Sequence, residues 1–444
     1  MEIQKKIYYR ISFRLCSPLA VGSGQKEETD KDIVKDGRGV PYLPATAIAG
    51  VTRPFFDKEE GIRYFGEVKD SVQAKRALEN LEQTSASSRI IFYDARICKE
   101  DLDKYRIRHR DSVALDEWKT AKKGAKFDME VLEPGVRFVT YMEQNLYEGD
   151  EEAAEKIAAA WKSEVLRFGG KTMRGYGEIS DVSVKKRVFC LKQAAKADRI
   201  GEKDAEAWLA FDMYDEEQWS TQPEWESREK LNIRECRLEL QLKLKGGISI
   251  RRYAAGTGEK IEPDFEQLTI LDEKTMIPVI PGTTWCGAFR NQIRRLIPEI
   301  DESYFGTVSQ TGKIKSKIRF GESRIIKAKE KILMHNAIDR FDGGTIDTAL
   351  FTERTFYGGT TKLTISFGAD IPDSLLDGLA AAIVDLHYGF LSVGGMTGVG
   401  RGIFKVESIN GKRLKQDAVS GQEAAEQYQE IKTVLRELRE ECHG

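Results

Sequence analysis

Four motifs occur twice in this chain, in the same order, and that duplication restricts the fold more than any other feature. VPYLPATAIAGVTR (Val40–Arg53) returns as IPVIPGTTWCGAFR (Ile277–Arg290). Each holds Pro, two residues, a second Pro, a small residue, then Gly and Arg at matching places. Tyr64-Phe65-Gly66 returns as Tyr304-Phe305-Gly306, and IIFYDARI (Ile90–Ile97) as KIRFGESRI (Lys317–Ile325). The Gly-rich GGKTMRGYGEI (Gly169–Ile179) returns as GGMTGVGRGIF (Gly394–Phe404). All four pairs stand about 225 to 240 residues apart, which is the self-similarity of a repeated domain.

The copies cover 1–190 and 233–412, joined by a charged linker at 191–232 with helical pieces. A tail at 413–444 has apolar residues at helical spacing, as expected of a helix that docks on its own domain or on a partner. A chain of 444 residues is too long for one core, so a duplicated domain also suits its length. Lys plus Arg (70) nearly balances Asp plus Glu (72). Any basic groove is therefore local rather than global. Six scattered cysteines, with no CxxC pair, argue against a zinc site and a disulfide framework and for reduced thiols. The N-terminus lacks a signal-peptide core and no run of about 18 apolar residues exists. The expected location is cytoplasmic, with no membrane span.

Each copy opens on a strand of period-two alternation, KKIYYRISFRL or ECRLELQLKL, the pattern of an antiparallel sheet with one wet face. The Pro-x-x-Pro turn then leads into a helix, with Thr or Gly near its N-cap and Arg53 or Arg290 one to two turns in. A late helix runs into the Gly-rich loop, and a strand follows. Strand, helix, strands, helix, strand predicts an α+β, ferredoxin-like (RRM-like) fold in tandem. Gly170-Lys171-Thr172 resembles the end of a phosphate loop. Yet Val165 stands where such a loop needs Gly, and the helix precedes rather than follows, so an ATPase is excluded. A Gly cluster after a helix still offers backbone N–H groups to RNA phosphates.

Together these features resemble the RAMP superfamily of CRISPR proteins, in particular the backbone subunits of type III effector complexes. In the first copy the resemblance rests on VPYLPATAIAGVTR, Arg108–Phe138 and the Gly-rich loop. In the second it rests on IPVIPGTTWCGAFR, His335–Gly359 and GGMTGVGRG. Two such domains in one chain resemble the double backbone subunits of type III-D. The resemblance implies a ferredoxin-like palm with a β-hairpin thumb in each copy, within Arg106–Val131 and His335–Arg354. It implies guide RNA, single-stranded target RNA, a large polymerase-like subunit, a small subunit and other RAMP proteins as partners, and a role in antiviral defense. In cleaving members an Asp ahead of the turn-helix acts as an endoribonuclease on target RNA with a divalent metal. Counting back from Asp36 places that residue at Asp30, also the implied metal ligand for Mg²⁺ or another divalent cation, with Asp32 the close competitor. Counting back from Asp272 reaches Glu266, with Asp264 beside it; a Glu departs from the family pattern and sets cleavage by the second copy in doubt.

The RNA-binding candidates are Thr46, Arg53, Arg110, Lys119, Lys122, Lys123, Gly170, Lys171 and Arg174 in the first copy. In the second they are Thr283, Thr284, Arg290, His335, Arg340, Gly395 and Arg401. Arg suits bidentate phosphate contact, the three Lys form a basic cluster, and the Thr residues either cap the helix or donate to a phosphate. Arg53 and Arg290 serve equally well as ion-pair partners within their own domains. His109 and His335 sit at comparable places near each thumb, while His387 follows the helical spacing of a core or boundary residue. Three functions stay open. They are a cleaving backbone subunit, a non-catalytic RNA-binding assembly subunit, and a metal-independent ribonuclease that processes guide RNA through His109 and His335.

Overall fold

The computed structural model describes residues 3–24, 29, 31–66, 88–110, 112–115, 121–191, 199–226, 235–252, 263–272, 275–309, 312–339, 341–414 and 421–442. In the first copy the core elements are β1 (Lys5–Leu15), α1 (Ala45–Thr52), α2 (Lys58–Phe65), β2 (Ala95–Ile97), β3 (Arg137–Leu146), α3 (Ala153–Lys162) and β4 (Ile179–Cys190). They form an antiparallel sheet in the order β4-β1-β3-β2. The helices α4 (Arg199–Leu209) and α5 (Glu217–Ser220) follow. The second copy comprises β5 (Glu235–Leu244), α6 (Gly282–Leu296), β6 (Ser323–Ile326), β7 (Thr360–Gly368), α7 (Asp373–Tyr388) and β8 (Phe404–Ile409), before the tail helix α8 (Gly421–Glu441). Its sheet order, β8-β5-β7-β6, repeats that of the first copy. Both are the interleaved order of a ferredoxin-like fold.

The alternation sets the register because one strand face must be buried. On β5, Cys236, Leu238, Leu240, Leu242 and Leu244 all point into the core, while Glu235, Arg237, Glu239, Gln241 and Lys243 point out. Against that face pack Trp285, Phe289 and Ile293 of α6, four residues apart and fully buried. Each such side chain contributes about 1.5–3 kcal/mol relative to exposure. On β1, Ile7, Tyr9, Ile11 and Phe13 do the same against Trp161 and Phe168.

The stretch after β4 is more than a linker. Trp219 is 1% exposed and, with Phe211, covers Tyr8, Tyr141 and Phe189 on the outer face of the first sheet. Helix α8 docks on α7, burying Ile431 and Leu435 and pairing Lys432 with Asp377 and Arg439 with Asp373. All six cysteines are free thiols. No helix among the described residues is long and apolar enough to cross a membrane.

The two copies meet head to tail. The Gly-rich loop of the first lies on the start of α6 in the second. A methyl group built on Gly282 would stand 2.6 Å from Arg174 O, and one on Gly175 would stand 2.7 Å from Phe320 O. Arg324 Nη2 donates to Cys16 O (3.3 Å) and Arg108 Nη1 to Thr269 O (3.2 Å). At the centre, Arg110 is buried between Glu133 of its own copy (2.8 Å) and Glu322 of the other.

Candidate nucleic-acid interface

Each copy carries a hairpin where the thumb is expected. In the first, Ile107–His109 pairs with Glu130–Leu132 at the base and Ser112–Leu115 with Ala121–Phe127 above it. In the second, Lys329–Ile338 pairs with Thr345–Tyr357. The second hairpin exposes Ile332 (61%), Met334 (69%) and Phe341 (92%), apolar surface of the kind that packs against bases.

At the first hairpin base several elements converge. Glu130, 2% exposed, accepts from Ile33 N (3.1 Å) and Lys35 Nζ (3.0 Å) and faces His109 Nε2 at 3.8 Å. Its own N–H donates to Lys31 O (3.0 Å), so the loop flanking Asp30 is fastened to the thumb. Lys171 of the Gly-rich loop lies over the Phe127 ring at 4.2 Å and against Met129 Sδ. Burial, reinforced by Arg174 and Lys31, lowers its ammonium from 10.5 to about 7. Lys31 and Arg174 themselves are exposed. The second copy repeats the His–Glu pairing: His335 Nε2 stands 3.4 Å from the buried Glu353 and stacks on Phe351.

Asp30, Lys119 and Arg340 lie outside the described residues, as do the side chains of Lys122 and Lys123. Asp32 is 7% exposed, and its Oδ1 accepts from Thr29 N (2.9 Å) and Thr29 Oγ1 (2.8 Å), the geometry of a turn-holding carboxylate. In the second copy Glu266 is paired with Arg354 (2.7 Å), and Asp264 Oδ2 accepts from Thr352 N (2.8 Å). The strand Phe265–Gln267 adds to the hairpin in parallel, which ties both carboxylates to it. Among the described residues no group of three or more His, Cys, Asp or Glu could hold a metal ion.

Several of the residues expected to contact RNA are engaged within the chain. Arg110 is spent on Glu133 and Glu322: burial alone would lower its pKa, but the two carboxylates push it well above the ordinary value and keep it charged. Arg401 is 5% exposed, held by Glu353 (2.9 Å) and the Tyr357 hydroxyl. The N–H groups of Gly170 and Gly395 are likewise unavailable to phosphates, because they donate to Ala20 O and Ser249 O, both at 2.7 Å. Arg53 donates to Gly66 O (3.2 Å), tying α1 to the end of α2, and Arg290 pairs with Glu302. Neither Thr46, Thr283 nor Thr284 is a cap; Pro44 and Pro281 hold that place in extended backbone, and Asp94 Oδ1 accepts from Ala45 N (2.8 Å) instead. His387 is buried, with Nδ1 3.0 Å from Val406 O.

The Gly-rich loops are nevertheless twins in backbone. The φ angles of Gly169, Lys171, Gly175 and Gly177 (+77°, +58°, +81°, +73°) match those of Gly394, Met396, Gly400 and Gly402 (+96°, +53°, +79°, +70°). Lys171 thus corresponds to Met396, and Arg174 to Val399. Sequence reasoning missed Glu130 and Glu353, which face the two histidines. A lone acid inside an apolar strand, as in MEVL, was the available signal.

The depressed Lys171 predicts a pH dependence. Its folded value lies below its ordinary one, so between about 7 and 10.5 the unfolded chain binds more protons and stability rises with pH. Lys171→Met, the side chain of the second copy, is expected to raise the unfolding midpoint at pH 7 and to flatten this rise. Thermal melts across pH 6–10 check it.

A family model described as RAMP superfamily matches residues 12–180 and 249–405, one match in each copy. No curated protein matches the chain.

Proposed function

The chain belongs to the RAMP superfamily of CRISPR-associated RNA-binding proteins, and from that premise we propose that it is a double backbone subunit of a type III effector complex. It binds guide RNA through both copies, positions complementary target RNA, and cleaves that target through the first copy alone. One observation carries this reading: the loop flanking Asp30, the first hairpin base and the Gly-rich loop meet around Glu130, where Lys31, Lys35, Lys171, Arg174 and His109 gather. That is a local basic site in a chain with no net basic charge, and its Lys31 is the sequence neighbour of the position that the family's cleavage chemistry uses. Asp30 supplies the carboxylate of this proposal. A divalent cation, which would stabilise the phosphate as the 2′-hydroxyl attacks, belongs to the proposal as well.

In the second copy the corresponding carboxylates are bound to Arg354 and Thr352, which supports binding without cleavage. Its exposed Ile332, Met334 and Phe341 support a thumb that inserts between bases.

RNA binding by the intact chain is tested by titrating single-stranded RNA over a range of salt. Each phosphate contact contributes a slope of about −0.7 in log K against log salt. Lys31→Ala and Arg174→Ala are each expected to reduce the slope by that amount, whereas Arg401→Ala leaves it unchanged. Unaltered slopes in both Lys31→Ala and Arg174→Ala would remove this site from the RNA path.

A further inference from the structure

The outer edge of the first sheet is closed at two points and open between them. We propose that this gap takes a short extended peptide of another protein, which pairs with β4 main chain to main chain and brings a basic side chain to Glu226.

β4 is an edge strand, with β1 on one side of it. Along such a strand every second residue turns its N–H and C=O away from the neighbour. Val184 is one of these: its N–H donates to Glu224 Oε1 (2.9 Å) and its C=O accepts from Trp225 N (2.8 Å). Cys190 is another, and its N–H donates to Asp204 Oδ2 of α4 (3.2 Å). Lys186 and Val188 share that parity, and no described group pairs with their outward main chain. A cavity of about 520 Å³ lies against this stretch, walled by Asp204 and Ala207 of α4 and by Pro223, Glu224 and Trp225.

An unpaired edge is a template for another chain, and proteins ordinarily cover it. The second copy does so. Its β8 has 6 residues where β4 has 12, and Ser408 and Ile409 at its end pair with Arg413 and Lys412. In the first copy the longer β4 carries the gap instead.

The chemistry of the gap selects its occupant. Two N–H and two C=O groups stand there at strand spacing, about 7 Å from one residue to the next of the same parity. An extended main chain supplies both matching donors and acceptors, whereas a phosphate backbone supplies acceptors only. Val188, 40% exposed, favours an apolar side chain beside it. Most charges around the cavity are engaged: Lys186 pairs with Glu152, Glu224 with Lys162 (2.7 Å), and Arg187 Nη1 donates to Gln218 O (3.2 Å). Glu226 lines the same cavity, is exposed and makes no ion pair with a described residue. The mouth is therefore acidic and complements Lys or Arg.

Amide hydrogen exchange of the intact chain, read residue by residue, tests this with a capped Val-Thr-Val-Lys peptide and its N-methylated analogue. The peptide is expected to slow exchange at Lys186 and Val188 by at least about fivefold, and to leave Val184 and Cys190, already bonded, as they were. The analogue keeps the side chains, lacks the donors and is expected to slow neither. Val188→Pro removes one outward donor at an edge, where proline is tolerated, and is expected to abolish the slowing at Lys186. Glu226→Lys, a surface change, is expected to move the preference to a peptide ending in Glu. None of these readouts involves cleavage or guide RNA, so they are independent of the effector reading. No slowing by any peptide, equal slowing by the N-methylated analogue, or slowing by single-stranded RNA in the peptide's place overturns the proposal.

Discussion

On the proposed function, Asp30→Ala is expected to lower the rate of target RNA cleavage opposite the first copy by at least about 100-fold, the lower end of what a positioned catalytic group contributes. Guide-RNA affinity stays at the wild-type value, because one carboxylate makes no favourable phosphate contact. Asp32→Ala behaves differently. Its carboxylate holds Thr29 through two hydrogen bonds inside a 7%-exposed site, so its loss costs about 1–3 kcal/mol of stability and slackens the loop. Cleavage then falls partway, and the unfolding midpoint falls with it. Glu266→Ala leaves cleavage unchanged, since that carboxylate serves Arg354. Chelation by EDTA abolishes cleavage if the divalent cation of the proposal is required. Undiminished cutting by Asp30→Ala would leave a non-catalytic assembly subunit. Metal-independent cutting of repeat RNA by the isolated protein, lost in His109→Ala with His335→Ala, would favour the processing ribonuclease. In that event the buried Glu130 and Glu353 beside these histidines become their positioning partners.

The sheet was legible because side chains alternate at period two along β1 and β5, and only one register buries Ile7, Tyr9 and Ile11 or Leu238, Leu240 and Leu242. Duplication then supplied the strand order twice. The hairpins were placed by the resemblance and overlap the expected spans, the second running wider, from Lys329 to Tyr357. What sequence did not disclose is which charges are already spent. Arg110 and Arg401 have the residue type of a phosphate contact, yet each is closed off by acids far along the chain, Glu133 and Glu322 at separations of 23 and 212 residues and Glu353 at 48. Such pairings depend on tertiary geometry, which no local spacing encodes. The Gly-rich loops are a related case. Their glycines are needed for left-handed backbone and for contact with Phe168 and Val393, and their N–H groups are consumed at Ala20 and Ser249. The charged stretch before β5 hid a cap: Trp219 sits in a polar run, and only the fold brings Tyr8 and Phe189 beneath it.

Arg110 sets the largest expected effect on stability. Its guanidinium is 6% exposed and satisfies two buried carboxylates, one from each copy. Removing one partner of a buried ionic cluster costs about 3–5 kcal/mol, because the remaining charges are left without compensation. Arg110→Ala is therefore expected to lower the first unfolding transition in urea by that amount and to open the junction to limited proteolysis. The deficit has a defined pH course. Burial already pushes Glu322 upward, and without the cation this acid binds protons more readily in the folded state than in the unfolded one. Folding is then favoured by acid: the variant regains stability relative to wild type as pH falls from 7 toward about 4.3, the ordinary Glu value. The reverse trend, or a loss under about 1 kcal/mol at pH 7, would mean the carboxylates reach water once the guanidinium is gone. A compensated variant separates charge from packing. Arg110→Met with Glu133→Gln and Glu322→Gln removes every formal charge while keeping the volume, and replacing a whole buried ionic cluster by neutral groups is often near neutral. Recovery of most of the loss in that triple variant assigns the cluster to charge compensation at the junction; a persistent loss assigns it to the packing of Arg110 on Tyr176, whose ring lies 6.0 Å from the guanidinium carbon.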